Sequence, residues 1–442
     1  MLDEHLERSR KLVQRMTLAE KMSQMVHNAP AIDRLGIPAY NWWNEGLHGV
    51  ARSGVATVFP QAIGLAASFN VPLMHRTATA ISDEARAKYN EYRKFGSTEI
   101  YQGLTYWSPN INIFRDPRWG RGHETYGEFG FDGYVVSDCG AICDINRFHH
   151  LTEDEAESAA LAVNHGCTLN CGSAYGSLKA AHLRGLVDEA TIAAAVERLF
   201  AARFALGMFD TDNPCDAIPY ETVDCEEHRS LALQMARESM VLLKNDGILP
   251  LTGLIGKMAV IGPNSDERSI LLGNYNGWPS RYTTLYEGIC DGAPESLRIY
   301  KAKGCDLIKD TPGGWAEQPL REALIVGGKS DVIVLCLGLR PDIEGEEGDA
   351  YNSDLGGDRR SIDLPSAQLR LFDELAKLGK PIVVVNSSGS AVNLSPLHDR
   401  AAAILHVWYP GQAGGFRKSM SGAWRKQNVG VHTCSGSASR HR

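Results

Sequence analysis

The stretch GYVVSDCGAI, residues 133–142, decides how this chain is read. Tyr134, Val135 and Val136 form an aromatic and β-branched run of the kind that makes a buried strand. The run ends at Ser137-Asp138, and the small Cys139 and Gly140 leave the Asp138 carboxylate open at the strand's C-terminal tip. In a barrel of parallel strands, catalytic groups sit at that tip. An aspartate capping a strand-to-helix turn fits the same ten residues, so the flanking sequence must separate the two readings.

Immediately upstream, residues 106–114 (YWSPNINIF) read as a strand that runs into residues 115–125, RDPRWGRGHET. Arg115, Arg118 and Arg121 stand there beside Asp116, Glu124, Trp119 and His123. An arginine fork held by neighbouring carboxylates is a good donor to vicinal hydroxyls. A solvated charged loop is the plainer alternative, with Trp and Pro interleaved against it. Further back, residues 41–49 (NWWNEGLHG) bring Trp42, Trp43, Glu45 and His48 to a strand end. Tryptophan faces stack on sugar rings, and a carboxylate beside them accepts two hydroxyl hydrogen bonds. An aromatic core strand with an exposed Glu is the competing account.

Helical spacing covers residues 2–16, and Thr17 with Glu20 forms a capping box opening a second helix through Met25. Residues 59–69 read as a strand and 71–92 as an alanine-rich helix. Beyond Asp138, a capping box at Thr152–Glu155 starts a helix to His165, residues 168–173 form a short strand, and a helix runs from Asp188-Glu189 to about Leu206. This alternation is α/β with parallel strands.

Residues 210–220 (DTDNPCDAIPY) are a polar linker. After a helix over 225–240, the segments 241–251, 257–263, 331–337, 381–386 and 403–408 include near-continuous apolar runs. Such runs belong to strands covered on both faces. With a helix over 366–378 between two of them, they describe a second, doubly wound α/β domain. Between its strands lies the acidic loop 342–349 (DIEGEEGD), which fits a solvated charge run, a divalent-metal site or a source of a catalytic acid. A nicotinamide-dinucleotide reading is disfavoured, because the loop after Val260-Ile261-Gly262-Pro263 lacks the glycine spacing for pyrophosphate.

At 442 residues the chain accommodates two or three domains. A net charge of −8 with scattered basic residues argues against nucleic acid. The absence of a run of about 18 apolar residues argues against a membrane partner. The N-terminus is charged from its third residue and has no apolar core for export, so a cytosolic location is expected. The ten cysteines include two C-x3-C pairs, Cys139/Cys143 and Cys167/Cys171, without the tighter spacing and histidines of a zinc site. Reduced core thiols are expected. Residues 416–442 carry six Lys/Arg and no acid, and their Ser- and Gly-rich composition predicts disorder.

Two carboxylate-bearing loops in two domains suit glycoside hydrolysis, which needs a nucleophile or base and a separate acid flanking the anomeric carbon. The stretches IPAYNWWNEGLHGVAR, FPQAIGLAASF, NINIFRDPRWGRGHETYGE, GFDGYVVSDCGAI, MVLLKNDGILPL, AVIGPNS and GGDRRSIDLP resemble family 3 glycoside hydrolases, particularly their bacterial β-xylosidase/β-glucosidase branch. The resemblance runs from about Met16 to Gly415. It implies a (β/α)8-type barrel over 1–209, a linker over 210–224, an α/β sandwich over 225–415, and a site at their junction. It implies Asp138 as nucleophile and Glu346 as acid/base, with Glu347 and Glu344 as alternatives. Glu45 and Arg121 would bind sugar hydroxyls, Trp43 would stack, and Arg118 would help position its loop. The reaction would be retaining, release terminal β-D-xylosyl or β-D-glucosyl units from an oligosaccharide or glycoside, and need no metal or organic cofactor. Oligomeric state is left open.

The chain also departs from that pattern. Between Glu128 and Phe129 the family carries a segment supplying two barrel strands, a sugar-binding Lys-His pair and a further arginine loop. An eight-unit barrel takes roughly 200–250 residues, and only about six β/α units are counted before Leu206, so an incomplete barrel with open edges is expected. After Gly415 the family's continuation and its fibronectin-like domain are replaced by a tail resembling the product of a reading-frame change. The expected function is therefore an impaired β-glycosidase, with a non-catalytic remnant or sugar-binding pseudoenzyme as the alternative.

Overall fold

The computed structural model describes residues 2–110, 116–124, 133–251, 255–308, 317–346 and 358–415. The tail 416–442 and the 128/129 junction lie outside these.

In the second lobe, six strands make one sheet: β1 (Val241–Asn245), β2 (Lys257–Ile261), β3 (Arg298–Ala302), β4 (Val332–Gly338), β5 (Ile382–Ser387) and β6 (Ala403–His406). Their order is β1-β6-β5-β4-β2-β3, parallel except for β1, which runs antiparallel to β6. Every residue of β4, β5 and β6 is buried. The reason is visible in the alternation: Val260, Val334, Val385 and Leu405 pack on one face against Leu285 and Ile289 of helix Leu285–Gly292. Ile261, Leu335, Val384 and Ile404 pack on the other against Leu371, Phe372 and Leu375 of helix Ser366–Ala376. A sheet buried on both faces has no polar side to alternate with, hence the continuous apolar runs.

The first lobe is built from helices around a set of short extended segments. Helix α1 (Leu2–Val13) lies on the long helix Glu189–Ala205, whose N-terminus is capped by Asp188 accepting from Thr191 N. Helix α2 (Leu18–Ser23) carries the full capping box of Thr17 and Glu20. Residues 136 and 169 bridge in parallel, as do 170 with 26 and 44 with 106. Residues 28–29 and 40–41, however, pair antiparallel, so this lobe is not uniformly parallel. Among the described residues no bridge joins the 106 segment to the 136 segment, and the barrel is not closed.

Three local expectations need correction. Residues 59–69 are not a strand: only Phe59–Gln61 is extended, and helix α3 (Ala62–Ala67) follows. Phe59 N donates to His48 O and Gln61 N to Tyr409 O, after which an Ala-rich segment of high helix propensity takes over. The helix after Leu151 is capped by Asp154, which accepts from Glu157 N, rather than by Thr152. Cys139 and Cys171 are not reduced thiols but a disulfide, because the two strand ends run side by side with Cα atoms 4.6 Å apart. The C-x3-C spacing concealed a partner 32 residues away.

Candidate active site

Asp138 follows the 135–137 segment, which the neighbouring segment holds by Leu169 N to Val135 O and Ser137 N to Leu169 O. The helix beyond it, Ala141–Arg147, has Gly140 at its N-cap in the left-handed region, with no side-chain cap. Asp138 is therefore not a helix cap. Its Oδ1 accepts from Cys139 N at 2.7 Å and its Oδ2 from Arg121 Nη1 at 3.3 Å, and the side chain remains 55% exposed.

Arg121 is the centre of the site. Its Nε donates to Glu124 Oε2 at 2.9 Å, and its Nη2 donates to Tyr275 Oη at 3.3 Å. The same Nη1 that reaches Asp138 lies 3.6 Å from Glu346 Oε1. Tyr275 Oη donates to Glu346 Oε2 at 2.5 Å. One guanidinium from the first lobe thus bridges a carboxylate of its own lobe and one of the second. These groups line a cavity of about 840 Å³, together with Trp43, Glu45 and Arg52. That size lies within the range of small-ligand sites.

Glu45 is buried and accepts from Trp43 Nε1 at 2.7 Å, while Trp43 stacks on Trp107 with ring centres 5.2 Å apart. Trp43 is thus oriented by its own neighbours at the cavity wall. Arg118 is placed differently. It grips Asp116 through Nε at 2.9 Å and Nη2 at 2.6 Å, on the exposed side of its loop and off the cavity wall. Its carbonyl accepts from Arg359 N, which ties the loop to the second lobe.

The three glutamates of the acidic loop have separate fates. Glu346 faces the cavity. Glu344 is fully buried, accepting from Gly389 N and Tyr409 Oη at 2.5 Å each and from Ser390 Oγ, and does not line the cavity. Glu347 lies outside the described residues. Among the described residues no group of three or more His, Cys, Asp or Glu is arranged to hold a metal ion.

Sequence reasoning missed two site residues. Glu124 was legible, since it stands three residues after Arg121 in the same short helical turn (Gly120–Glu124). Tyr275 had no local signal, for it arrives from a glycine-rich loop of the other lobe.

Burial dominates the electrostatics. It pushes the carboxyl of Glu45 up to about 7, against the Trp43 hydrogen bond and the charges of Arg52 and Arg121. It does the same to Glu124, up to about 7, against Arg121. Burial also works against the charge on Arg121, but Glu124, Tyr275 and Glu346 outweigh it and raise its pKa. His123, wholly buried and near His48 and Arg121, is pushed down to about 3 and is neutral.

A carboxyl raised on folding binds protons in the native state that the unfolded chain has released. Its contribution to stability is therefore lost as pH rises from about 4.5 to about 7. Glu124→Gln copies the protonated form. The melting temperature of E124Q relative to the parent is expected to rise between pH 5 and pH 8, measured by calorimetry. A difference independent of pH contradicts the raised carboxyl.

Residues 8–129 match the profile described as the glycosyl hydrolase family 3 N terminal domain, and residues 240–419 match the family 3 C-terminal domain. The chain is 31% identical to "Beta-xylosidase/alpha-L-arabinofuranosidase 1" of Medicago sativa subsp. varia over 530 residues, covering 91% of this chain and 65% of that relative. It is 27% identical to "Xylan 1,4-beta-xylosidase" of Xylanibacter ruminicola, covering 92% and 76%. Among solved structures, a family 3 exo-β-xylosidase in complex with a xylobiose aziridine probe superposes with a TM-score of 0.78 at 26% identity, covering 94% of this chain and 66% of that one. The 530 aligned residues exceed the 442 of this chain, so the relative carries residues within the matched region that have no counterpart here.

Proposed function

The chain belongs to glycosyl hydrolase family 3, and from that premise we propose that it is a retaining, exo-acting β-glycosidase taking terminal β-D-xylosyl or β-D-glucosyl units from an oligosaccharide or glycoside. The observation that carries the reading is the pair of carboxylates, Asp138 and Glu346, tethered from two lobes to one guanidinium at one cavity. Both oxygens lie within 3.6 Å of the same Nη1, so the gap between them is no wider than about twice that distance. This bound accommodates the ~5–5.5 Å separation of retaining enzymes and excludes the wider part of the inverting range.

In the first step, an Asp138 oxygen attacks the anomeric carbon as the glycosidic C–O bond breaks, and Glu346 gives its proton to the leaving oxygen. In the second, Glu346 takes a proton from water, whose oxygen displaces Asp138 and frees the sugar with its β configuration. Glu45 and Arg121 hold ring hydroxyls, and the Trp43 face gives the sugar an apolar wall. The names of the matched relatives and the glutamate at position 45 support xylose ahead of glucose.

The anomeric outcome tests the proposal. With nitrophenyl β-xyloside, proton NMR of the reaction mixture is expected to show β-xylose first and α-xylose only by later mutarotation. Initial α-xylose rules out retention.

A second reading, a non-catalytic remnant, is favoured by a first lobe that is not closed among the described residues and by the missing counterparts of the relatives' residues. It predicts no turnover above that of an Asp138→Asn control. No helix among the described residues is long and apolar enough to cross a membrane. The Cys139–Cys171 disulfide is of a kind that persists in oxidising compartments and does not suit the expected cytosolic location.

A further inference from the structure

Residues 273–278 belong to the second lobe by sequence, yet their backbone is bound to the first. Arg52 N donates to Asn276 O at 3.1 Å, Trp278 N to Gly54 O at 3.0 Å, and Ala56 N to Trp278 O at 3.2 Å. His48 Nε2 pairs with Asn274 O at 2.8 Å. The approach is close enough that a Cβ on Gly277 would meet Val50 O at 2.5 Å. Within this clamp Tyr275 has φ +55°, a left-handed conformation that is strained for a non-glycine residue and persists only where its surroundings enforce it.

The clamp delivers one phenol. Tyr275 Oη donates to Glu346 Oε2 and accepts from Arg121 Nη2, while its ring carries the Arg52 guanidinium 4.9 Å from the centroid. We propose that Tyr275 is a positioning residue for the acid/base Glu346: it occupies Oε2, leaving Oε1 as the proton-transferring oxygen, and ties that choice to the docking of the two lobes. The inference rests on the assignment of Glu346 made above.

The phenol holds Oε2 by a donated hydrogen bond, while Arg121 Nη1 faces Oε1 at 3.6 Å. Removing the phenol oxygen alone therefore frees the carboxyl to turn away from that orientation. Burial and the nearby Glu124 raise the phenol's own pKa, so Tyr275 stays a donor through the working range.

The test is Y275F, which keeps the ring and its contact with Arg52. In protein labelled with 13C at the glutamate carboxyls, the Glu346 resonance is assigned by its loss in E346Q. In Y275F that resonance is expected to shift at fixed pH, because the hydrogen bond to Oε2 is lost. In parallel, kcat on nitrophenyl β-xyloside is expected to fall about tenfold with KM little changed. An unshifted resonance overturns the proposal, and so does a loss of fold in Y275F, which would make the phenol structural. If the parent protein turns over no faster than D138N, the hydrolase reading fails by itself, while the resonance still decides whether Tyr275 holds Glu346.

Discussion

Asp138→Asn is expected to lower turnover of nitrophenyl β-xyloside by about 10⁴-fold or more, with the melting temperature almost unchanged. The size follows from the role. If Asp138 forms the bond to the anomeric carbon, an amide of the same shape cannot, and loss of a nucleophile of this kind removes nearly all of the chemical acceleration. The small effect on stability follows from the surroundings. The side chain is more than half exposed, caps no helix, and makes two hydrogen bonds, to Cys139 N and Arg121. An asparagine oxygen still accepts the first of these. Substitutions of exposed residues of this kind usually stay within ~0.5 kcal/mol. Activity within tenfold of the parent would move the nucleophile elsewhere and leave Asp138 as a partner of Arg121 only.

Glu346→Gln should divide the two chemical steps. Loss of general acid and base catalysis is expected to cost 10²–10⁴-fold on a xylobiose-type substrate, whose leaving oxygen needs a proton. On a dinitrophenyl xyloside, whose leaving group departs as a stable anion, the first step should be nearly intact and the second should limit the rate. Added azide attacks the glycosyl-enzyme without help from a base. It is expected to restore turnover on the dinitrophenyl substrate and to yield the β-glycosyl azide. The same treatment should do nothing for D138N. Absence of azide rescue in E346Q, with equal losses on both substrates, would assign Glu346 to binding rather than proton transfer. The buried Glu344, satisfied by Gly389, Ser390 and Tyr409, gives a contrasting prediction of form: its removal strikes the fold before it touches chemistry.

Much of the architecture was legible because it depends on local pattern. Residues 331–337 and 381–386 read as strands covered on both faces, since an unbroken apolar run leaves no polar side to face water, and the observed strands are Val332–Gly338 and Ile382–Ser387. Thr17 and Glu20 read as a capping box because the reciprocal bonds depend only on residues three apart. The segment 59–69 misled because Phe, Ile and Leu at short spacing suit a strand and a buried helix equally, and here alanine content decided. Glu124 shares a turn with Arg121 and was within reach of the same local reasoning.

By itself, then, the order of residues determined the α/β class, the acids offered to the site and the guanidinium beside them, for each is written in neighbouring positions. Only the folded chain decided that Cys139 finds Cys171, that Glu346 faces the cavity while Glu344 two residues away is sealed, and that Tyr275 crosses from one lobe to the other. Those outcomes turn on groups 32 or more positions apart in sequence. Contacts at that range are set by how the lobes pack, and packing leaves no periodic trace along the chain.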